Sequence, residues 1–373
     1  MTNLRYAIIG CGRISPNHIA ASQENHLNIV ALCDLDESKM DSLISTFQLS
    51  NHVKKYTDYK KMLQKEQPDL VAICTESGKH GKIALDCIEA GCHLIIEKPI
   101  ALSLEDADRI IEKAKTKQVK VCACHQNRFN KSVQKLREAV LGGRFGRLLY
   151  GTAHIRWNRG KEYYTQAPWR GTWEQDGGAL MNQCIHNIDL LRWMMGEEIE
   201  DVIGMTDNLT HEYIEAEDLG LAFVKFANGS YGVIEGTTTI YPQNLEETLY
   251  IFGEKGTAKI GGKSVNLIEE WKFGDSLDDT INVKEMFSEH PLNVYGFGHK
   301  PLYADVIDAI QNDRDPYVTA EDGRKALELV LAIYKSSKEQ KRVQLPIQKT
   351  STLDFIGQYH RSSEGHGEGN DQE

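Results

Sequence analysis

Short apolar runs alternate with helical patterns over the first third of the chain. Arg5–Ile9, Ile29–Cys33, Leu70–Cys74, His93–Ile96 and Val119–Cys124 are brief and rich in Ile, Val and Leu, as strands buried on both faces are. Between them Pro16–Gln23, Ser38–Phe47, Lys79–Ala90 and Leu104–Lys117 carry helical patterns. Gly91 marks a helix stop, and Ser103 with Asp106 reads as a capping box. This alternation predicts βαβ units and a parallel sheet. After Phe145 longer strands appear, at Leu148–Trp157, Leu219–Phe226 and Tyr231–Tyr241, with turns at Asn228–Gly229 and Gly253–Gly256. They predict a largely antiparallel sheet. Further helices are expected over 178–195, 302–311 and 323–338.

A length of 373 residues suits two domains, and 40% hydrophobic with 26% charged residues is ordinary globular composition. Net charge changes the picture more. At -11 it disfavours nucleic acid and anionic membranes as partners, so an anionic ligand must meet a local basic pocket. The 8 cysteines all fall in the first half and form no C-x-x-C pair, which reads as structural thiols in a reducing compartment. Cys122 and Cys124 share a face on a strand, but a zinc site needs further ligands, and no metal is expected. The start MTNLRYAIIG lacks a signal-peptide pattern and no apolar run suits a membrane span, so the expected location is cytoplasmic.

Gly10-Cys11-Gly12 follows a strand and precedes a helix, as a dinucleotide-binding turn requires. Ser15 stands in the place of the third glycine and is small enough for close packing. Asp34 ends the second strand and can accept hydrogen bonds from ribose hydroxyls. Leu35, Asp36 and Glu37 come next, so a 2'-phosphate would meet negative charge, and NAD is favoured over NADP. Glu97-Lys98-Pro99 lies at the C-terminal edge of a parallel strand, where ligands of open α/β sheets gather, and a lysine there can hydrogen-bond a substrate oxygen or shuttle a proton. In the helical stretch 181–186, Asn182 and His186 are four residues apart and share a face.

Gly10-x-Gly12, Asp34, Thr75 with His80, Glu97-Lys98-Pro99 and His186-Asn187-Ile188-Asp189 occur in the order found in the glucose–fructose oxidoreductase, inositol dehydrogenase and MocA family, which residues 4–340 resemble. The resemblance implies an α/β Rossmann domain with a parallel sheet at 1–124. An α/β domain with an open, mainly antiparallel sheet would follow at 125–345, for substrate binding and oligomerisation as a homodimer or homotetramer. A disordered polar tail is expected at 359–373. A cis Lys98–Pro99 bond is also implied. Gly10, Gly12, Arg13, Ile14, Asp34, Thr75, His80, Glu97 and Lys98 become the expected NAD contacts, and Lys98, His186 and Asn182 the expected catalytic residues. Two departures stand out. Thr75 is followed by Glu76-Ser77-Gly78 where relatives commonly have Thr-Pro, and Asn182 stands where many relatives have an aspartate, so any base role falls to His186 and Lys98.

Between Arg156 and Arg170 the chain carries net +3 interleaved with aromatics, Trp157, Tyr163, Tyr164 and Trp169 among them. Arginine forks match phosphate and carboxylate oxygens, and aromatic rings stack on a base or sugar. With Gln126-Asn127-Arg128-Phe129-Asn130 and the run 177–183, this patch is similar to the branch that oxidises UDP-N-acetylglucosaminuronate at C3 for bacterial surface polysaccharides. Some enzymes of that branch recycle a retained NAD with 2-oxoglutarate. Lys98, Arg156, Arg159, Tyr163, Arg170, Asn182, Gln183 and His186 are then the expected substrate contacts. Other readings of the same motifs are a dehydrogenase of another sugar or an inositol-like polyol, a glycosidase acting through bound NAD, and a noncatalytic NAD-binding sensor.

Overall fold

Apolar runs too short for helices become the central strands of a parallel sheet. In the computed structural model, which describes residues 4–291 and 293–359, they form β1 (Arg5–Ile9), β2 (Asn28–Cys33), β4 (Leu70–Ile73), β5 (His93–Ile96) and β6 (Val121–Ala123). An unanticipated β3 (Lys54–Tyr56) completes the order β3-β2-β1-β4-β5-β6. All neighbours pair in parallel. With only Lys54-Lys55-Tyr56 to offer, β3 has no apolar run to betray it, as suits a polar edge strand. The linking helices are α1 (Ser15–Glu24), α2 (Glu37–Thr46), α3 (Tyr59–Glu66), α4 (Ser77–Glu89) and α5 (Leu104–Lys117). Ser103 caps α5 by accepting from the Asp106 N–H, 3.1 Å, but the return half of the expected box runs between side chains, Ser103 Oγ to Asp106 Oδ2. Gly91 takes φ +83° just past the end of α4.

The chain continues through α6 (Lys131–Leu141), β7 (Leu148–Arg156) and α7 (Lys161–Thr165) to α8 (Ile185–Met195). Then come β8 (Ile199–Asp207), β9 (Leu219–Phe226), β10 (Tyr231–Thr237), β11 (Glu246–Gly253), β12 (Gly256–Gly261), β13 (Leu267–Phe273), α9 (Thr280–Phe287), α10 (His299–Gln311), α11 (Ala320–Glu339) and β14 (Val343–Gln344). These strands form an eight-stranded sheet, β13-β12-β11-β7-β10-β9-β8-β14, in which only β7 and β10 pair in parallel. One face is covered by α8 and α11. Small residues let the helices in: a Cβ at Gly151 would lie 2.8 Å from Met195 Sδ, and one at Gly204 2.8 Å from Ile333 Cγ2. The opposite face exposes Tyr150, Ile203, Met205, Leu221, Phe223 and Tyr231.

The later helices return to the first sheet. Tyr303 of α10 hydrogen-bonds the buried Tyr6 of β1, 2.8 Å between hydroxyls, and Gly323 of α11 packs against Ala123 and Ile100. The two sheets therefore share a packed junction. All 8 cysteines are free and buried. Tyr359, expected to open the disordered tail, instead stacks on Trp173 at 6.1 Å; residues 360–373 of that expected tail lie outside the described residues. Among the described residues no helix is long and apolar enough to cross a membrane.

Candidate active site

After β1 the chain turns sharply against β4. Gly10 sits at φ +95°, and a Cβ there would lie 2.5 Å from the Cys74 carbonyl carbon, so the turn requires glycine. At Gly12 a Cβ would meet nothing within 4 Å, leaving open space at the start of α1. A pyrophosphate fits that space, facing the backbone at a helix N-terminus. Arg13 is exposed and Ile14 half-buried beside it. Asp34 accepts from the Cys11 N–H (2.7 Å to Oδ2) and the Asp36 N–H (2.9 Å to Oδ1), which fixes its carboxylate where a ribose would lie. Lys39 of α2 stands 3.8 Å from Asp34, a cation that the turn's local sequence conceals. Thr75 lies beside Gly10 at the C-terminal edge of β4.

Two expected cofactor contacts are braces. His80 is buried with Nδ1 2.8 Å from the Pro99 carbonyl and Nε2 3.0 Å from the Thr75 carbonyl; burial favours its neutral form, whose single N–H donates to one of them, so the ring packs between two loops with both nitrogens turned to backbone. Glu97 is buried and turned inward, 2.8 Å from His18 Nε2 and 3.8 Å from His299 Nε2. Burial opposes its charge, but the His18 and His299 rings outweigh that and hold the carboxyl well below the usual range. His18 is fixed in turn by Tyr303, 2.7 Å from Nδ1. This network, with Cys124 at its edge, underlies the Lys98–Pro99 turn, whose peptide bond is cis.

Lys98 Nζ donates to the Asn182 carbonyl (2.7 Å) and to Asn182 Oδ1 (3.2 Å). An ammonium has three N–H donors, so one remains for a ligand. Burial lowers the Lys98 pKa below the ordinary lysine value, against Glu97 and Asp176, which favour its charge. Asn182 lies in a π-helical turn, Leu180–Cys184, where a regular helix was expected from 178 to 195. The turn runs directly into α8, so Asn182 and His186 do not keep plain α-helical spacing. His186 Nδ1 has no protein partner among the described residues, and burial together with Lys98 and His125 holds the ring well below its usual pKa. It is a neutral imidazole, able to accept a proton.

Asp176, which no sequence pattern singles out, also borders the site. It accepts from the Gly171 N–H at 2.7 Å and from Asn182 Nδ2, and burial pushes it up to about 7 against those hydrogen bonds and Lys98.

The expected basic patch divides. Arg156 points to the open face of the second sheet, where Glu235 of β10 (2.6 Å) and Glu246 of β11 hold its guanidinium. The strand pairing sets these carboxylates beside it, and it is not part of the pocket. Arg159 and Arg170 do converge with Arg13 on Tyr163, their guanidinium carbons 5.3, 4.1 and 6.0 Å from its ring centroid. Tyr163 accepts from Gln183 Nε2 (3.1 Å), which ties the cluster to the residue after Asn182. Arg170 Nε is buried without a partner among the described residues.

Beside the cluster several buried polar atoms lack partners among the described residues: both nitrogens of His125, Gln126 Oε1, Asn127 Oδ1, Gln183 Oε1 and Glu247 Oε2. Burial raises Glu247 to about 8 despite Arg159, so it is largely a neutral acid at pH 7. Unmet donors and acceptors cost about 1–3 kcal/mol each when buried, and a hydroxyl-rich ligand or water would satisfy them.

Residues 4–125 match the NAD-binding Rossmann fold of an oxidoreductase family model, and residues 137–345 match that family's C-terminal alpha/beta domain. The WlbA dehydrogenase of Bordetella pertussis, solved with NADH and UDP-GlcNAcA, is 36% identical, with a TM-score of 0.82 over 93% of this chain and 100% of that one. The WlbA dehydrogenase of Chromobacterium violaceum, also with NADH and UDP-GlcNAcA, is 35% identical with a TM-score of 0.85, covering 93% and 97%. Myo-inositol 2-dehydrogenase of Thermotoga maritima is 28% identical over 92% of this chain and 98% of its own.

Proposed function

The chain belongs to the glucose–fructose oxidoreductase, inositol dehydrogenase and MocA family, and from that premise we propose that it oxidises the C3 hydroxyl of a UDP-linked N-acetylhexosaminuronate, UDP-N-acetylglucosaminuronate first among them. It is an NAD-dependent dehydrogenase of the sugar and polyol class. The observation that carries the finer reading is the convergence of Arg13, Arg159 and Arg170 on Tyr163 beside the Lys98–Asn182 contact, in a chain of net charge -11. A diphosphate with a uronate carries about three negative charges, which such a chain holds only against a local cationic cluster. Likeness to enzymes solved with UDP-GlcNAcA supports the same substrate.

Bound NAD supplies the hydride acceptor. Gly10 and Gly12 shape the phosphate turn, with Arg13 and Ile14 at its rim, while Asp34 receives ribose hydroxyls and Thr75 lines the adjoining edge. The free N–H of Lys98 holds the reacting hydroxyl oxygen and stabilises the negative charge that grows on it, while neutral His186 takes its proton. Arg159 and Arg170 bind the anionic groups, and Tyr163 and Gln183 line the sugar. The product is a 3-keto sugar, in keeping with a role in surface-polysaccharide assembly. The exposed apolar face of the second sheet suits self-association as a dimer or tetramer.

The test is calorimetric binding to NAD-saturated protein of UDP-N-acetylglucosaminuronate, UDP-N-acetylglucosamine and myo-inositol. The uronate should bind most tightly. Equal binding of the two nucleotide sugars, or preference for inositol, would remove the substrate assignment and leave the family standing.

A further inference from the structure

The Lys98–Asn182 contact is one end of a longer chain of hydrogen bonds. Asp176 reaches Asn182 Nδ2 through Oδ1, and its Oδ2 is pinned by the Gly171 N–H at 2.7 Å. Ionised above about pH 7, the Asp176 carboxylate only accepts, and an ammonium only donates, so the Asn182 amide between them then has one satisfactory orientation: NH2 toward Asp176, carbonyl toward Lys98. We propose that Asp176 is a positioning residue that fixes the Asn182 amide and, through it and through its own negative charge, holds Lys98 as an ammonium aimed at the substrate oxygen. The proposal rests on the reading of Lys98 given above.

Sequence and structure together give it weight. Asn182 itself carries no charge, and Asp176, six positions earlier, brings a carboxylate to Lys98 through the amide. Asp176 is 2% exposed, so water screens its charge little. The glycine at 171, φ +72°, shapes the loop that holds it.

Other charges must be counted before a shift is assigned to Asp176. Lys98 also feels Glu97 from its own turn and the Cys124 and Cys184 thiols, and it acts on the neighbouring His186. Asp176 is faced by Lys98 and by Arg170 of its own loop, and it acts in turn on Tyr163 and Tyr164. Asp176→Asn leaves these groups in place; it deletes the charge and keeps one acceptor, for Asn182, while its NH2 group then faces the Gly171 N–H.

The experiment follows Lys98 itself in NAD-saturated protein without sugar. Protein carrying 13C at the lysine ε-carbon is titrated by NMR, with the Lys98 resonance identified by its loss in Lys98→Met. The midpoint should fall by about one pH unit in Asp176→Asn, since removing an anion disfavours the ammonium. In Asp176→Asn/Asn182→Asp, which returns a carboxylate to the lysine from the other position, it should recover. Asn182→Ala, which breaks the bridge and leaves Asp176 in place, should lower it by less, and this variant serves if Asp176→Asn does not fold. A midpoint unmoved by both Asp176→Asn and Asn182→Ala would overturn the proposal. So would a fall in Asp176→Asn that the double variant does not reverse, because Asp176 would then act on the general fold alone. The readout needs no substrate, so the sugar assignment can fail while this result stands.

Discussion

Replacing Lys98 by methionine removes an ammonium while keeping a chain of similar length, and its consequences can be worked from the contacts. In the wild type the Asn182 carbonyl and Oδ1 take two N–H donors, at 2.7 and 3.2 Å, and the remaining donor meets the substrate oxygen. That last bond strengthens as the hydroxyl becomes an alkoxide, so its loss falls on the transition state more than on the ground state. Loss of an acid–base or charge-stabilising group costs about 100-fold or more in turnover, equal to about 2.7 kcal/mol. Stability should suffer less. The two acceptors lose their donor, but Asn182 is half-buried and partly reached by water, and a desolvated cation is removed with them. A net loss of no more than about 2 kcal/mol follows, small enough for the variant to fold. The assay is initial-rate absorbance of reduced nicotinamide with substrate at saturation, alongside calorimetric titration of NAD. Turnover should fall about 100-fold with NAD affinity kept within a few-fold. Turnover within about 3-fold of wild type at saturation would refute the role of Lys98, while a collapse of NAD affinity would mean that Lys98 serves the cofactor instead.

Asp34→Ala should narrow the preference for NAD over NADP, because the acceptor for ribose hydroxyls and the repulsion of a 2'-phosphate disappear together; titration of both cofactors checks it. Arg170→Ala should weaken UDP-N-acetylglucosaminuronate binding roughly 30-fold, about 2 kcal/mol for a charged hydrogen bond, whereas Arg156→Ala should leave affinity nearly unchanged because Glu235 and Glu246 already hold that guanidinium. Glu217, buried between the Leu180 N–H and the Tyr334 hydroxyl, is raised by burial to about 8. The folded protein keeps this proton longer than the unfolded chain, so stability is lost as pH rises from the ordinary glutamate value toward 8. Glu217→Gln should therefore gain in Tm relative to wild type at pH 8 and not at pH 5, and a difference independent of pH would contradict that titration.

Much of the site was legible because it lies on local patterns. The turn at Gly10 and Gly12, Asp34 at a strand end and Lys98 before Pro99 each follow from a few consecutive residues, and the structure sets each at the expected edge of the first sheet. What escaped depends on partners distant along the chain. Arg156 looks like a ligand for anions until β7 is paired with β10 and β11, which bring Glu235 and Glu246 beside it from 79 and 90 residues away. His80 and Glu97 sit among the cofactor motifs, yet their polar atoms face Pro99, Thr75 and His18. The π turn leaves no mark that hydrophobic periodicity can read, since one extra residue per turn changes geometry and not composition. Asp176 fell in a loop with no pattern, visible only once Asn182 was seen to need an acceptor for its NH2 group.

In the proposed reaction, hydride leaves C3 of a UDP-linked uronate while Lys98 and His186 manage the hydroxyl. Its most direct test is turnover of UDP-N-acetylglucosaminuronate carrying deuterium at C3, with mass analysis of the reduced cofactor. The nicotinamide should acquire the deuterium and the sugar should leave as an intact 3-ketone; reduced cofactor without deuterium, or no reduction of NAD at all, would rule out this reaction.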